Sequence, residues 1–183
     1  MERTYQEHGY TVRSEAGTEV EVQTMLYGLV LALKPKVVFE SGCYDGFTTA
    51  ALAEAQLKAS RGGKVFACDI DKDYVRATEE RLDIANAMLP GLRHVATVYH
   101  ARAIDVPALR LADFLFCDSN YDCRKAEMLA AKPGCIIVCH DTRISYDGAI
   151  APLGGWLRDR GGLTFDTYRG FGIIRVPEGG LRP

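Results

Sequence analysis

Val37-Val38-Phe39-Glu40-Ser41-Gly42-Cys43-Tyr44-Asp45-Gly46-Phe47-Thr48-Thr49 is the stretch that decides the fold. Two valines and a phenylalanine predict a short buried strand, a turn holding Gly42 and Gly46 follows, and a helix opens near Thr48. Gly42 allows the backbone to bend where a ligand can approach. Gly46 lets the next helix pack closely while its free amides face that ligand. Strand, Gly-containing turn and helix start in this order make a nucleotide-type pocket. A dinucleotide fingerprint would read Gly-x-Gly-x-x-Gly, whereas this chain has Gly-x-x-x-Gly with an acid, Glu40, two residues before the first Gly.

Outward from this stretch the same alternation continues. Upstream, Thr18-Glu19-Val20-Glu21 has the pattern of a capping box, and the helix it opens should run to about Leu33, stopped by Pro35. Residues 1–17 are polar, hold Gly9 and Gly17, and read as an arm or cap ahead of one domain over 18–183. Downstream, the spacing predicts a helix over 48–58, a strand over 64–69 and a helix over 74–88. Asp71 is the N-cap of that second helix and Pro90-Gly91 its end. Strands over 95–100, 114–118 and 135–140 follow, with a helix over 124–131 between the last two. Strands separated by helices and apolar on both faces mean a parallel sheet covered on both sides. The end departs from this rhythm: a helix over 156–160 leads to strands over 163–168 and 172–176 with hairpin spacing, so an antiparallel strand joins the sheet.

The 183 residues fit one ordinary domain, and 48% hydrophobic against 25% charged residues is the composition of a globular protein. Lys plus Arg number 22 and Asp plus Glu 24, a net charge of -2 that disfavours a nucleic-acid partner. The longest strongly apolar stretch, 25–33, is far short of the ~20 residues a membrane span needs. The polar start lacks the basic and apolar regions of a secretory signal, so the protein is read as cytoplasmic. Of the cysteines at 43, 68, 117, 123, 135 and 139, four (68, 117, 135 and 139) lie in apolar runs. With no Cys-x-x-Cys pair, all six are read as reduced structural thiols.

Glu40-Ser41-Gly42-Cys43-Tyr44-Asp45-Gly46-Phe47-Thr48 resembles the first motif of class I S-adenosylmethionine-dependent methyltransferases, in particular the small catechol-type and caffeoyl-CoA-type O-methyltransferases, even in the aromatic positions Tyr44 and Phe47. The resemblance covers 18–176. It implies a Rossmann-like doubly wound sheet in the order 3-2-1-4-5-7-6 with strand 7 antiparallel. It also implies methyl transfer from S-adenosylmethionine to an acceptor, foremost a hydroxyl of a small molecule. The cofactor contacts it implies are Glu40, Gly42, Tyr44, Gly46 and Thr48 from the first motif, Thr48 facing the methionine carboxylate. Further along, Asp69 at the end of the second strand would hold the ribose hydroxyls, Ile70 would lie beside the adenine with Arg102 and Ala103, and Asp118 would close the set. Asp71 and Asp105 are read as helix caps.

The ends of strands four and five carry the chemistry. In the metal-dependent members they hold Asp, Asp and Asn around Mg2+; the matching residues are Asp118, Asp141 and Thr142, with Thr in place of Asn. The catalytic lysine of those enzymes is replaced by Tyr121. His140-Asp141-Thr142 resembles another branch of small O-methyltransferases, and there His140 would be the general base, beside Asp118 and Tyr121 as catalytic candidates. His8, His94 and His100 belong to no constellation. Two alternatives stay open. Asp118-Ser119-Asn120-Tyr121 resembles the Asp-Pro-Pro-Tyr motif of amino-methyltransferases, without its prolines, and loss of the Lys and Asn would suit a non-catalytic cofactor-binding module. Acceptor contacts are expected from the N-terminal arm and the loop 143–155, and a homodimer is left open. The cysteine reading predicts that thiol counting under denaturing conditions without reductant returns all six, and a reproducible shortfall of two would refute it.

Overall fold

The computed structural model describes residues 6–7, 10–11, 18–59, 62–142, 153–165, 167 and 169–182. Most of the arm 1–17, the loop 143–152 and Tyr168 lie outside them. A two-residue ribbon pairs Gln6–Glu7 with Tyr10–Thr11. The main sheet comprises β1 (Val37–Ser41), β2 (Lys64–Asp69), β3 (Ala96–His100), β4 (Phe114–Cys117), β5 (Ile136–His140), β6 (Leu163–Phe165) and β7 (Phe171–Arg175). Its order is 3-2-1-4-5-7-6, with β7 antiparallel to both β5 and β6, as expected. The helices are α1 (Val20–Leu33), α2 (Phe47–Ala59), α3 (Lys72–Met88), the single turn α4 (Leu92–Val95), α5 (Tyr121–Ala130) and α6 (Leu153–Arg158). No helix among the described residues is long and apolar enough to cross a membrane.

Period-two alternation in the central strands sorts the core into two layers. Val38, Phe114, Phe116 and Val138 pack on one side with Val22, Leu26 and Val30 of α1 and Leu52 of α2. Phe39, Leu115, Cys117, Ile137 and Cys139 pack on the other with Leu109, Met128 and Leu157. Both faces are therefore covered, and the cysteines at 68, 117, 135 and 139 are buried hydrophobes within this packing. Burial pushes the Cys135 and Cys139 thiols up to about 12. Cys43 is buried too, and only Cys123 is exposed.

Three local readings need correction. Thr18 does not build a capping box: Glu19 is the N-cap of α1 and makes no side-chain cap, while the Thr18 hydroxyl donates to Asp118 Oδ2 at 2.9 Å. Asp105 caps nothing; it sits inside a 3-10 turn, Ala103–Asp105, and Val106 precedes the next turn, Pro107–Leu111. Helix α5 begins at Tyr121 rather than 124, because Tyr121, Asp122 and Cys123 face a cavity and so carry no apolar periodicity. The N-cap role of Asp71 holds, its side chain accepting from the Asp73 amide at 2.8 Å.

Two glycines close the central turn, and both admit protein rather than ligand. Gly42 has φ +82°, and a Cβ there would lie 2.4 Å from the Asp118 carbonyl oxygen on the neighbouring strand. Gly46 has φ +79°, and its Cβ would lie 2.6 Å from Thr78 Cα of α3. The predicted Gly46 contact is thus a helix-packing contact, and Gly46 does not line the cavity. Gly46→Ala should lower stability by roughly 2 to 4 kcal/mol, combining a left-handed backbone with overpacking. Gly28, exposed in α1 with nothing within 4 Å of a Cβ, should give the opposite sign, gaining about 0.5 to 1 kcal/mol as alanine. Denaturant midpoints of the two variants check both signs.

Candidate active site

In-register pairing brings the strand ends together: Ser41 lies opposite Cys68 and Cys117, and Cys117 opposite Cys139. The residues that follow each strand therefore meet at one edge, where parallel sheets of this kind hold ligands. A cavity of about 750 Å³ opens there. Glu40, Gly42, Tyr44, Thr48, Asp69, Ile70, Arg102, Ala103, Asp118, Tyr121 and Asp141 line it, whereas Gly46, His140 and Thr142 do not. Five Asp and two Glu face three Arg along its wall, an electrostatic setting for a cationic ligand and against a polyanion.

The β2 side of the cavity is built by backbone turns. Asp69 Oδ2 accepts from the Tyr44 amide at 3.2 Å and Oδ1 from the Asp71 amide at 3.0 Å, which fixes the carboxylate at the cavity's edge. Tyr44, itself at φ +47°, packs its ring against Tyr74 with centroids 4.6 Å apart. Ile70 exposes 57% of its surface beside this pair, an apolar wall that a flat ring could cover. Arg102 lines the cavity with its side chain largely exposed, weakly paired with Asp105 at 3.9 Å. Glu40, wholly buried on β1, takes the Thr49 hydroxyl on Oε2 and leaves Oε1 without a partner. Desolvation raises its pKa to about 8, so an incoming donor would meet a mostly protonated acid near neutrality.

The β4 and β5 side is organised by a residue that sequence reading did not single out. Arg124, on α5 and 4% exposed, spends its whole guanidinium on strand ends. Nε donates to the Ser119 carbonyl at 2.6 Å, one terminal nitrogen to the His140 carbonyl at 2.5 Å, and the other to Asp118 Oδ1 at 3.2 Å and Asp141 Oδ2 at 3.1 Å. Arg169 engages Asp141 from the opposite side, at 2.8 Å to Oδ2 and with Nε 2.6 Å from Oδ1, an ion contact without hydrogen-bond geometry. Asp141 adopts φ +56°, a left-handed conformation that turns its carboxylate back toward both arginines. Arg124 lies three positions after Tyr121, between Cys123 and Lys125 at the start of a helix. Nothing in its spacing announced two carboxylates from different strands.

His140 departs from the expected role. It is fully buried, with Nδ1 3.0 Å from Asp118 Oδ1 and Nε2 against the Glu19 carboxylate. Burial works against its charge, but the two carboxylates outweigh burial and raise its pKa to about 9. An imidazolium with both N–H groups donating has no lone pair to take a proton, so the geometry does not suit a general base. Glu19 is held below its usual range because the hydrogen bond and charge of His140 outweigh its own burial. Its other oxygen accepts from the Arg169 amide at 2.9 Å.

Nor do these residues suit the magnesium ion. Asp118, His140 and Asp141 bring donor atoms within 4.8 Å of one another. Yet each Asp118 oxygen already accepts a hydrogen bond, and both Asp141 oxygens contact arginine. Thr142, the expected third ligand, is buried away from the cavity, its amide donating to Gly170 and its carbonyl accepting from Gly154. The amino-methyltransferase alternative meets a similar obstacle: the Ser119 carbonyl is taken by Arg124, and the Asn120 carbonyl by the Cys123 amide at 2.9 Å.

A parallel sheet with order 3-2-1-4-5-7-6 and one antiparallel strand, carrying its cavity at the β1 turn, is the class I methyltransferase fold. Residues 39–142 match the family described as methyltransferase domain, more than half the chain, and the chain belongs to that family. No curated protein matches it. Among solved structures it is similar to the O-methyltransferase TomG of Streptomyces achromogenes, involved in tomaymycin synthesis and in complex with SAM (18% identity, TM-score 0.70, 90% of this chain and 83% of that one). It is also similar to an O-methyltransferase of Bacillus cereus in complex with SAH (19%, 0.67, 86% and 81%) and to the SAH-bound Podospora anserina methyltransferase PaMTH1 (16%, 0.66, 87% and 80%). At these identities the likeness establishes the fold.

The buried imidazolium carries a pH signature. Its folded pKa of about 9 exceeds the ordinary value of 6.5, so its contribution to stability is complete below about pH 6.5 and is lost as pH rises through 9. The stability difference between wild type and His140→Gln should shrink by on the order of 2 to 3 kcal/mol from pH 6 to pH 9.5, measured by denaturant unfolding. A difference independent of pH would refute the charged assignment.

Proposed function

We propose that the protein transfers the methyl group of S-adenosylmethionine to a hydroxyl oxygen of a small molecule. The observation that carries this reading is the placement of Asp118. Its carboxylate is clamped by Arg124, His140 and Thr18, yet it lines the same cavity as the β1 turn and Asp69. Membership of a methyltransferase family and similarity to O-methyltransferases support it.

The residues fit the cofactor's chemistry. Asp69 suits the ribose hydroxyls and Ile70, with Ala103 and Arg102, the adenine. Gly42, Tyr44 and Thr48 suit the methionyl part, and the unpartnered Oε1 of Glu40 suits its ammonium, whose positive charge would favour the ionised form of this acid. Bound there, the cofactor supplies an electrophilic methyl carried on a sulfonium sulfur. The protein's own work is to align the acceptor and take its proton. Asp118 is the proton acceptor in this reading, through Oδ2, the oxygen that Thr18 occupies in the structure. Arg124 and His140 are positioning residues that keep that carboxylate aimed. Burial raises the Tyr121 phenol, and the side chain lies at the cavity wall.

Two measurements test the reading. Asp69→Ala should weaken S-adenosylmethionine binding by about 1.5 to 3 kcal/mol in titration calorimetry, the scale of hydrogen bonds to a charged group. Asp118→Asn should lower turnover by roughly 10² to 10⁴ on a panel of catechols, phenols and sugar hydroxyls while leaving cofactor affinity within a few-fold. No heat with either the cofactor or its demethylated product on folded wild type removes the reading, as does activity confined to amine acceptors.

A further inference from the structure

Asp118 and Asp141 stand where strands β4 and β5 end, 3.2 and 3.1 Å from a single terminal nitrogen of Arg124. Two carboxylates from neighbouring strands converging on one point is the arrangement that invites a divalent ion. Here the point of convergence already holds a positive charge belonging to the chain, and its two other hydrogen bonds, to the Ser119 and His140 backbone carbonyls, tie it to the strand ends. Around it, His140 faces Asp118 and Glu19 through its two ring nitrogens, and Arg169 backs Asp141. The two carboxylates that would hold the ion, Asp118 and Asp141, are thus matched one for one by the guanidinium groups of Arg124 and Arg169. An ion of charge +2 would enter a cluster with no surplus negative charge and would have to displace a guanidinium held on both sides.

We propose that Arg124 is a resident cation in the place of a metal: its guanidinium bridges Asp118 and Asp141, keeps divalent ions out, and does the orienting of Asp118 that a bound ion would otherwise do. A guanidinium is suited to this because its planar fork reaches two carboxylates and two carbonyls at once and keeps its proton at any working pH. Methyl transfer then needs no divalent ion, a consequence that rests on the proposed function. The binding claim itself does not, since it can be read without cofactor or acceptor.

The test is a Mn2+ titration of chelator-treated protein, followed by the electron paramagnetic resonance of the free ion and by calorimetry. Wild type should show no saturable site below ~1 mM. Arg124→Met, or Arg124→Gln, should gain one site per chain roughly 10-fold tighter or better, lost again when Asp141→Asn is added. A stoichiometric wild-type site abolished by Asp118→Asn or Asp141→Asn overturns the proposal, and so does a folded Arg124 variant that gains no site. A wild-type site that neither substitution removes lies elsewhere and agrees with a metal-free cluster. Should both Arg124 variants fail to fold by circular dichroism, the wild-type titration with its two Asn controls decides alone. In a separate arm, chelation should change turnover on a hydroxyl acceptor by less than about twofold. A protein that binds no Mn2+ and also turns nothing over would count against the proposed function and leave the metal-free site standing.

Discussion

A guanidinium buried at the end of a parallel sheet is the constraint on which this site depends. Parallel strands end together, and their last carbonyls and first polar side chains crowd into one small volume. In this chain that volume contains Asp118, Asp141 and the carbonyls of Ser119 and His140. Arg124 answers all four from a single position on α5. Leaving such a charge unmatched inside the protein would cost several kcal/mol, so the arginine and its carboxylates are present together or not at all.

The rest of the site follows from that clamp. Asp118 is fixed on one oxygen by Arg124 and His140, which leaves its other oxygen to face Thr18 at the start of α1. Asp141 takes a left-handed backbone to reach Arg124 and Arg169, and the Arg169 amide in turn ties Glu19 to the end of the β6–β7 connection. A further buried acid, Glu127, accepts from Ser41 at 2.7 Å and from Ser119 at 2.8 Å, joining β1 to the segment after β4. The strand ends are thereby held by charge and hydrogen bonds, while the strands themselves are held by apolar packing. Rigid positioning of a carboxylate at a cavity wall is what alignment of a methyl acceptor requires.

Much of this was legible beforehand, and the reasons are physical. Short apolar runs and helix-length spacing are local properties, so the strands and the helices between them could be read along the chain, whereas the strand order was implied by the family resemblance. The first-motif residues and Asp69 could be placed because a strand, a turn and a helix start lie within a dozen residues, and the turn residues have restricted conformations. The errors share a cause. Thr18 was read as a cap because its neighbours in sequence offered amides, yet its partner is Asp118, one hundred positions away. The base role of His140 is implied by its residue type and the family resemblance, whereas its ring nitrogens face Glu19 and Asp118, which no local pattern brings to it.

The sequence by itself therefore determined the alternating strands and helices, the turn after β1 and the acid at the end of β2, because each is written in the residue types of one short segment. Only the tertiary structure decided what the polar residues at the ends of β4 and β5 do. Their partners are contributed by the start of α1, by α5 and by the β6–β7 connection. A carboxylate can be a metal ligand, a base or half of an ion pair, and its residue type is the same in all three. Which of them it becomes depends on the charge placed a few ångströms away, and here that charge is Arg124.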